Sequence, residues 1–404
     1  VALGLGGLLA SGCTAMGSSA TGERLLKMQA SPQYGDGKFE NPDPMYISYS
    51  ESWSAMFGSV ENRSPSEEPI VQQRSKKDFD DPPASGLRVT WLGHSTLLLE
   101  IEGRRFLTDP VWGERTSPVS WLGPQRYYAP PLPLEDLPKI DAILISHDHY
   151  DHLDYPTIAA LKEMGTKFIA PWGVGAHLEH WGIPKSRITE VDWWDEVEVG
   201  GITVASVPAR HASGRGLMDQ NATLWTGYAL IGRDRRLFFS GDTGMFPGLL
   251  DIGAKYGPFD VTMIEVGAYN SAWPDWHMGP EQAVVGHKMV QGEVLLPIHW
   301  GLFDLAPHGW TEPMERVLIE ARELGVSVAT PRPGESYEAD LPLPEEKWWP
   351  ELSFHSVEEK PIVATKSGQL KDLVSLSDYL EKAEEIAERK RGERGSSDSE
   401  KGSQ

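Results

Sequence analysis

The stretch Ser146-His147-Asp148-His149-Tyr150-Asp151-His152 follows directly on the apolar run Ala142-Ile143-Leu144-Ile145, and no other feature constrains the chain as strongly. Imidazole and carboxylate are the side chains that borderline divalent metals such as zinc take up, and His147, His149, Asp151 and His152 bring four of them together. Such a density of ligand groups has no ordinary use in a core or on a solvated face. It predicts a strand whose carboxyl end carries a metal site.

Later apolar stretches end in the same residue types. Thr203–Val207 leads to His211, Leu237–Ser240 to Asp242, and Val294–Ile298 to His299. In layered α/β proteins, ligand sites form outside the carboxyl ends of the strands, so residues distant in sequence can meet at one edge. Further strands are predicted at Arg88–Trp91, Thr96–Ile101, Arg105–Thr108, Phe168–Ala170 and Val261–Val266, with Glu102-Gly103 as a hairpin turn. Helical periodicity covers Thr157–Met164, Glu281–Val290 and Glu312–Leu324. The alternation predicts an α/β fold of sheets covered by helices. Asp109, opening a long Pro- and Trp-rich loop that runs to residue 138, is expected to fix a metal-bound imidazole through a hydrogen bond. His94 reads either as a similar supporting group or as a core residue satisfied by backbone. His177, His180, His287, His308 and His355 fit no ligand position and are assigned packing or surface roles.

A formal net charge of −22 with only short basic clusters, such as Arg389-Lys390-Arg391, excludes a nucleic-acid partner held by phosphate contacts. It also argues against a purely electrostatic grip on anionic membranes. The 15 Trp residues include Trp91, Trp112, Trp121, Trp273, Trp276, Trp300 and Trp310 near the motifs, which suits either aromatic core packing or the wall of an apolar substrate site. The single cysteine, Cys13, permits no intrachain disulfide. It ends the apolar run Leu8-Leu9-Ala10-Ser11-Gly12-Cys13, which resembles a bacterial lipoprotein signal and implies lipidation at Cys13. The expected setting is therefore the bacterial cell envelope, with the protein anchored on the periplasmic side and the outer membrane favoured.

The pattern His-x-His-x-Asp-His, a later His, an Asp in Ser240-Gly-Asp-Thr-Gly244 and a last His after a strand resembles the metallo-β-lactamase fold, an αββα sandwich of two similar halves. The resemblance implies one zinc held by His147, His149 and His211, a second held by Asp151, His152 and His299, Asp242 bridging them, and a hydroxide between the two ions as nucleophile. Trp91-Leu-Gly-His-Ser-Thr96, Phe106-Leu-Thr-Asp-Pro-Val-Trp112, Ser117-Pro118, Gly123-Pro-Gln-Arg-Tyr127 and His149-Tyr-Asp-His-Leu-Asp154 are similar, in order and spacing, to the N-acyl-phosphatidylethanolamine-hydrolysing phospholipase D family. That likeness runs from about residue 88 to 337 and implies a phospholipid substrate cleaved to N-acylethanolamine and phosphatidic acid. It also implies that His277 reaches the substrate phosphate and that Tyr150 contacts substrate.

The expected organisation is a signal remnant over 1–13, a tether and extension over 14–85 whose aromatic patch could fold back on the domain, a catalytic domain over 86–345, a C-terminal extension with a helix over 346–391, and a disordered tail over 392–404. Two other functions fit the scaffold: a metal-dependent lactonase similar to ascorbate-6-phosphate lactonase, and a non-catalytic binding protein. A β-lactamase proper is disfavoured because one common metal set there uses a Cys, and none follows residue 13.

Overall fold

The computed structural model describes residues 14–401; the expected lipidation site, Cys13, lies outside the described residues. Two seven-stranded sheets form the centre. The first contains β3 (Leu87–Gly93), β4 (Thr96–Ile101), β5 (Arg104–Thr108), β6 (Ala142–Leu144), β7 (Lys167–Pro171) and β8 (Ile188–Val191), with β16 (Ser336–Glu338) at its edge beside β3. The second contains β9 (Glu196–Val199), β10 (Ile202–Val207), β11 (Gly227–Ile231), β12 (Arg236–Phe239), β13 (Phe259–Glu265), β14 (Gly292–Ile298) and β15 (Ser327–Val328). Each sheet is an antiparallel meander, β3-β4-β5 or β10-β11-β12, continued by three parallel strands and flanked on the other side by one antiparallel edge strand. The two halves therefore repeat one topology, and the carboxyl ends of β5, β6, β12, β13 and β14 share one edge of the sandwich.

Both faces of these strands are covered, which explains their nearly continuous apolar runs. On β4, Leu97, Leu99 and Ile101 join the core between the sheets, whereas Leu98 points to the outer face. That outer face packs under α3 (Tyr155–Leu161) and α4 (Val174–His180) through Ile158, Leu161, Val174 and Leu178. On the second sheet, α5 (Gly248–Tyr256), α6 (Pro280–Met289) and α7 (Glu312–Leu324) contribute Ile252, Val285, Met289, Met314 and Val317. The helix starts follow local rules. Asp154 caps α3 by accepting from Thr157 N, and Pro280 opens α6 where its missing N–H costs nothing. Trp91, Trp300 and Trp348 stack with centroids 5.5 and 5.2 Å apart, so that part of the tryptophan content is core packing.

The N-terminal segment is built onto this body. Helix α1 (Gly22–Gln29) and the hairpin of β1 (Tyr34–Gly35) and β2 (Lys38–Phe39) bury Met28 and Phe39 against Trp193, Leu224 and Trp225. Helix α2 (Tyr49–Phe57) covers the predicted aromatic patch and lies near the site, with Ile47 and Ala55 packed on Ala268, Ala272 and Trp273. The last helix, α8, spans Leu376–Lys401 and packs on the body through buried Tyr379 and Ala383.

Candidate metal centre

Three residues immediately beyond strand ends adopt the left-handed backbone region: His94 after β3 (φ 53°), Asp109 after β5 (φ 34°) and His299 after β14 (φ 65°). Such a conformation is costly for residues with a Cβ and persists where the surrounding structure enforces it. Gly241 (φ 57°) turns the chain likewise after β12, where a Cβ would sit 2.7 Å from Thr226 O. It delivers Asp242 to the same place.

The seven expected ligands converge there. His147 Nε2 and His211 Nε2 lie 2.8 and 3.3 Å from His149 Nδ1, forming one set. Asp151 Oδ2 lies 3.4 Å from His152 Nε2 and 3.5 Å from His299 Nε2, forming another. Asp242 Oδ2 stands between them, 3.0 Å from His299 Nε2, 3.1 Å from His152 Nε2, and 3.8 and 3.9 Å from the Nε2 atoms of His211 and His147. His152 Nε2, His299 Nε2 and Asp242 Oδ1 are buried without a hydrogen-bond partner among the described residues. Buried polar atoms are nearly always satisfied, so donors left open and aimed at one point fit a metal-binding centre.

The surroundings fix each ring. Asp109, fully buried, accepts from Ser146 N and Ser146 Oγ and takes the Nδ1–H of His152 at 2.7 Å, which leaves Nε2 for the centre. His211 gives its Nδ1–H to Trp276 O at 2.8 Å, and His147 Nδ1 lies 2.9 Å from Ser146 Oγ. These tautomers are assigned from the hydrogen bonds. His94, which the sequence leaves undecided, holds Asp151 with Nε2 2.9 Å from Oδ2 and packs its ring 4.0 Å from that of His299. Burial, reinforced by neighbouring imidazoles, keeps His147 well below its ordinary pKa, and burial does the same to His211 despite Asp242. Neutral imidazole is the form that binds metal. Burial works against charge on His299 too, but Asp242 and Asp151 beside it push its pKa up to about 10. The Asp242 carboxyl would be raised by burial, yet His152 and His299 hold it well below the usual carboxylate range.

Two residues of the motif face away from the centre. Asp148 points away from the centre, accepting from Gly214 N at 2.7 Å and Thr223 Oγ1 at 2.9 Å, so it fastens the loop after His211. Tyr150 lies under the Arg215 guanidinium at 4.0 Å and donates its OH to Arg215 O at 2.7 Å; it does not line the cavity beside the metal ligands. That cavity, about 310 Å³, is lined by the apolar side chains of Ile47, Ala268, Trp273, Trp276 and Leu305 and by His149, Asp151, Asp242, His277 and His299. His277 thus lines the cavity beside the ligands, its ring centroid 5.0 Å from that of His211 and 5.2 Å from that of His299.

Three contributors are not marked in the sequence. Glu265, fully buried at the end of β13, accepts the Nδ1–H of His277 at 2.6 Å. Burial and the neighbouring Asp242 raise its carboxyl well above the ordinary range. The available signal was its position, a carboxylate ending an apolar strand as the ligands do. Another is Asp275, which accepts from Arg210 at 2.9 Å, from Tyr46 N at 2.7 Å and from Thr365 N at 2.7 Å. It ties the segments that carry His211 and His277 to both terminal extensions. Asn41 adds a two-way bond to the His211 backbone. No local pattern marks either of these.

Residues 104–300 match the family model described as the β-lactamase superfamily domain. An uncharacterized protein of Mycobacterium tuberculosis (strain ATCC 25618 / H37Rv) is 46% identical over 342 residues, covering 83% of this chain and 91% of that protein. The N-acyl-phosphatidylethanolamine-hydrolyzing phospholipase D 1 of Caenorhabditis elegans is 40% identical over 272 residues, covering 63% of this chain and 76% of that protein. Among solved structures, an isothiocyanate hydrolase from Delia radicum gut bacteria has a TM-score of 0.50 at 21% identity, covering 62% of this chain and 98% of that one, and so shows the fold. With its αββα sandwich and clustered His and Asp donors, this chain is a metal-dependent hydrolase of the metallo-β-lactamase superfamily and belongs to the family of the N-acyl-phosphatidylethanolamine-hydrolysing phospholipases D.

Proposed function

We propose that the protein is a two-zinc phosphodiesterase that hydrolyses N-acyl-phosphatidylethanolamine-like lipids to N-acylethanolamine and phosphatidic acid. The observation that carries this reading is the position of Asp242 Oδ2, 3.0 to 3.9 Å from a nitrogen of His147, His152, His211 and His299, at the floor of a cavity with tryptophan in its wall. His147, His149 and His211 would hold one ion and Asp151, His152 and His299 the other, with Asp242 shared. A bound metal pair lowers the pKa of water and offsets charge building on a phosphoryl oxygen.

The chain's own residues do the rest. His277, its Nδ1–H committed to Glu265, has Nε2 free to hydrogen-bond a phosphate oxygen and set the phosphorus in line for attack by water. Ile47, Trp273, Trp276 and Leu305 give the lipid portion an apolar wall and exclude competing water. The bond broken joins phosphorus to the ethanolamine oxygen, which leaves with a proton. Lipidation at Cys13 would hold the enzyme on the periplasmic side of a bacterial membrane, where such a substrate lies.

A panel of N-acyl-phosphatidylethanolamine, bis-p-nitrophenyl phosphate and a simple lactone, offered to the zinc-loaded protein, tests this. Preferred cleavage of the lipid supports the assignment. Turnover of the lactone alone keeps the metal centre and removes the phosphodiesterase.

A further inference from the structure

The most exposed large apolar side chains of the described residues are Leu217 and Met218, 99% and 96% exposed, and they are neighbours on one loop tip. The loop beneath them is firmly constructed. Asp219 accepts from Arg215 N at 3.0 Å and Gly216 N at 2.7 Å, and Ser213 and Asn221 pair across the base, with Asn221 N bonded to Ser213 O at 2.9 Å. An isolated exposed Leu needs no explanation, but two in sequence on a braced turn form a projecting apolar point.

The beginning of the described chain is locked to that same loop. Arg215, only 4% exposed, donates from Nε and Nη2 to Ala15 O at 3.1 and 2.7 Å, and from Nη1 to Leu153 O at 2.9 Å. Trp181 Nε1 donates to Thr14 O at 2.7 Å, and Ser18 N donates to His177 Nδ1 at 3.0 Å. Gly17 fits here because a Cβ on it would meet His177 Nδ1 at 2.1 Å. The Met16 methyl lies against Gly216, 3.0 Å from where a Cβ would stand, and Met16 is itself 45% exposed. Met16, Leu217 and Met218 therefore make one apolar patch at the point where the chain arrives from the run Val1–Cys13.

We infer that this patch is a bilayer-docking surface, in which Leu217 and Met218 enter the lipid interface beside the segment that leads from Cys13. Three observations favour lipid as the occupant. The chain next to the patch continues into a run of apolar residues, and the net charge of −22 leaves insertion rather than electrostatic attraction as the means of holding a membrane. The loop also follows directly on His211, and its base is bonded to Asp148 and Tyr150 of the metal motif, so docking would set the metal-bearing edge at the interface. The short strap from Thr14 to Ser18 then orients the domain as well as connecting it. This surface is read by binding and does not depend on the identity of the substrate.

The full chain with Cys13→Ser carries no cysteine and no site for acylation, so Met218→Cys gives a single attachment point for the fluorophore NBD. Arg233→Cys, in the β11–β12 turn at the opposite ends of the strands, is the control. With vesicles of phosphatidylethanolamine and phosphatidylglycerol, and equally with phosphatidylcholine vesicles, the label at 218 should brighten several-fold and shift to the blue while the label at 233 stays unchanged. Equal responses at the two positions, no response at 218, or a response only on anionic vesicles would overturn the proposal. A chain that inserts residue 218 but fails to cleave the lipid would keep this surface and discard the phosphodiesterase assignment.

Discussion

The Glu265 carboxyl group hydrogen-bonds His277 Nδ1 at 2.6 Å, while His277 Nδ1 stays 3.8 Å from Asp242 Oδ2. The ring is thereby held between a buried carboxyl group and the candidate metal ligands. Glu265→Gln keeps the shape but replaces the carboxyl partner of His277 Nδ1 by an amide, and kcat should fall about tenfold to a hundredfold with KM little changed. Bound metal, measured by mass spectrometry on the same protein, separates this role from a metal ligand's: retained metal with reduced kcat is expected, and loss of metal would assign Glu265 to the coordination shell.

Asp109 and His152 form the corresponding pair on the other half, 2.7 Å apart and both buried. Asp109→Ala frees the His152 ring to rotate and leaves Ser146 N without its acceptor. Under the proposed two-metal assignment, affinity for the more weakly held ion should drop roughly tenfold to a hundredfold by chelator competition. Asp151→Ala or His152→Ala should go further and abolish turnover with the fold intact by circular dichroism. Undiminished activity in either would refute the second metal position.

Arg210 and Asp275 are 1% and 0% exposed, and their bond joins the chain before His211 to the chain before His277. Asp275→Ala strands a buried guanidinium and should cost about 3–5 kcal/mol in chemical denaturation. Thr365→Ala removes a neutral donor to the same carboxylate and should cost about 1 kcal/mol. Equal losses from the two variants would mean that the ion pair does not dominate the junction.

His287 lies far from the metal motif in sequence, buried with Nδ1 2.7 Å from Thr262 Oγ1. Burial, with the charge of Lys288, pushes its pKa down from 6.5 to about 3. The unfolded chain therefore binds a proton between these values that the folded chain refuses. The contribution is intact above pH 6.5 and is lost as pH falls toward 3, with a limiting slope of about 1.4 kcal/mol per pH unit. His287→Gln should flatten that part of the stability profile. An unaltered slope would show that other groups control it.

Much of the fold was legible in the sequence. The helix Glu312–Leu324 and the strand Thr96–Ile101 have their expected ends, because apolar periodicity, a proline near the helix start and Gly325 just beyond its end are all local signals. Charged or short strands such as Glu196–Val199 and Ser336–Glu338 were not expected, since each is completed by partners far along the chain. The metal motif was legible for the same local reason: no other use accounts for so many ligands after one strand. What tertiary structure alone decided is how those ligands are held. Glu265 reaches His277, Asn41 brackets His211, and Arg215 clasps Ala15 across gaps of 12, 170 and 200 residues. Hydrogen bonds of this kind depend on where the backbone places each group in space, and a linear pattern carries no record of that distance.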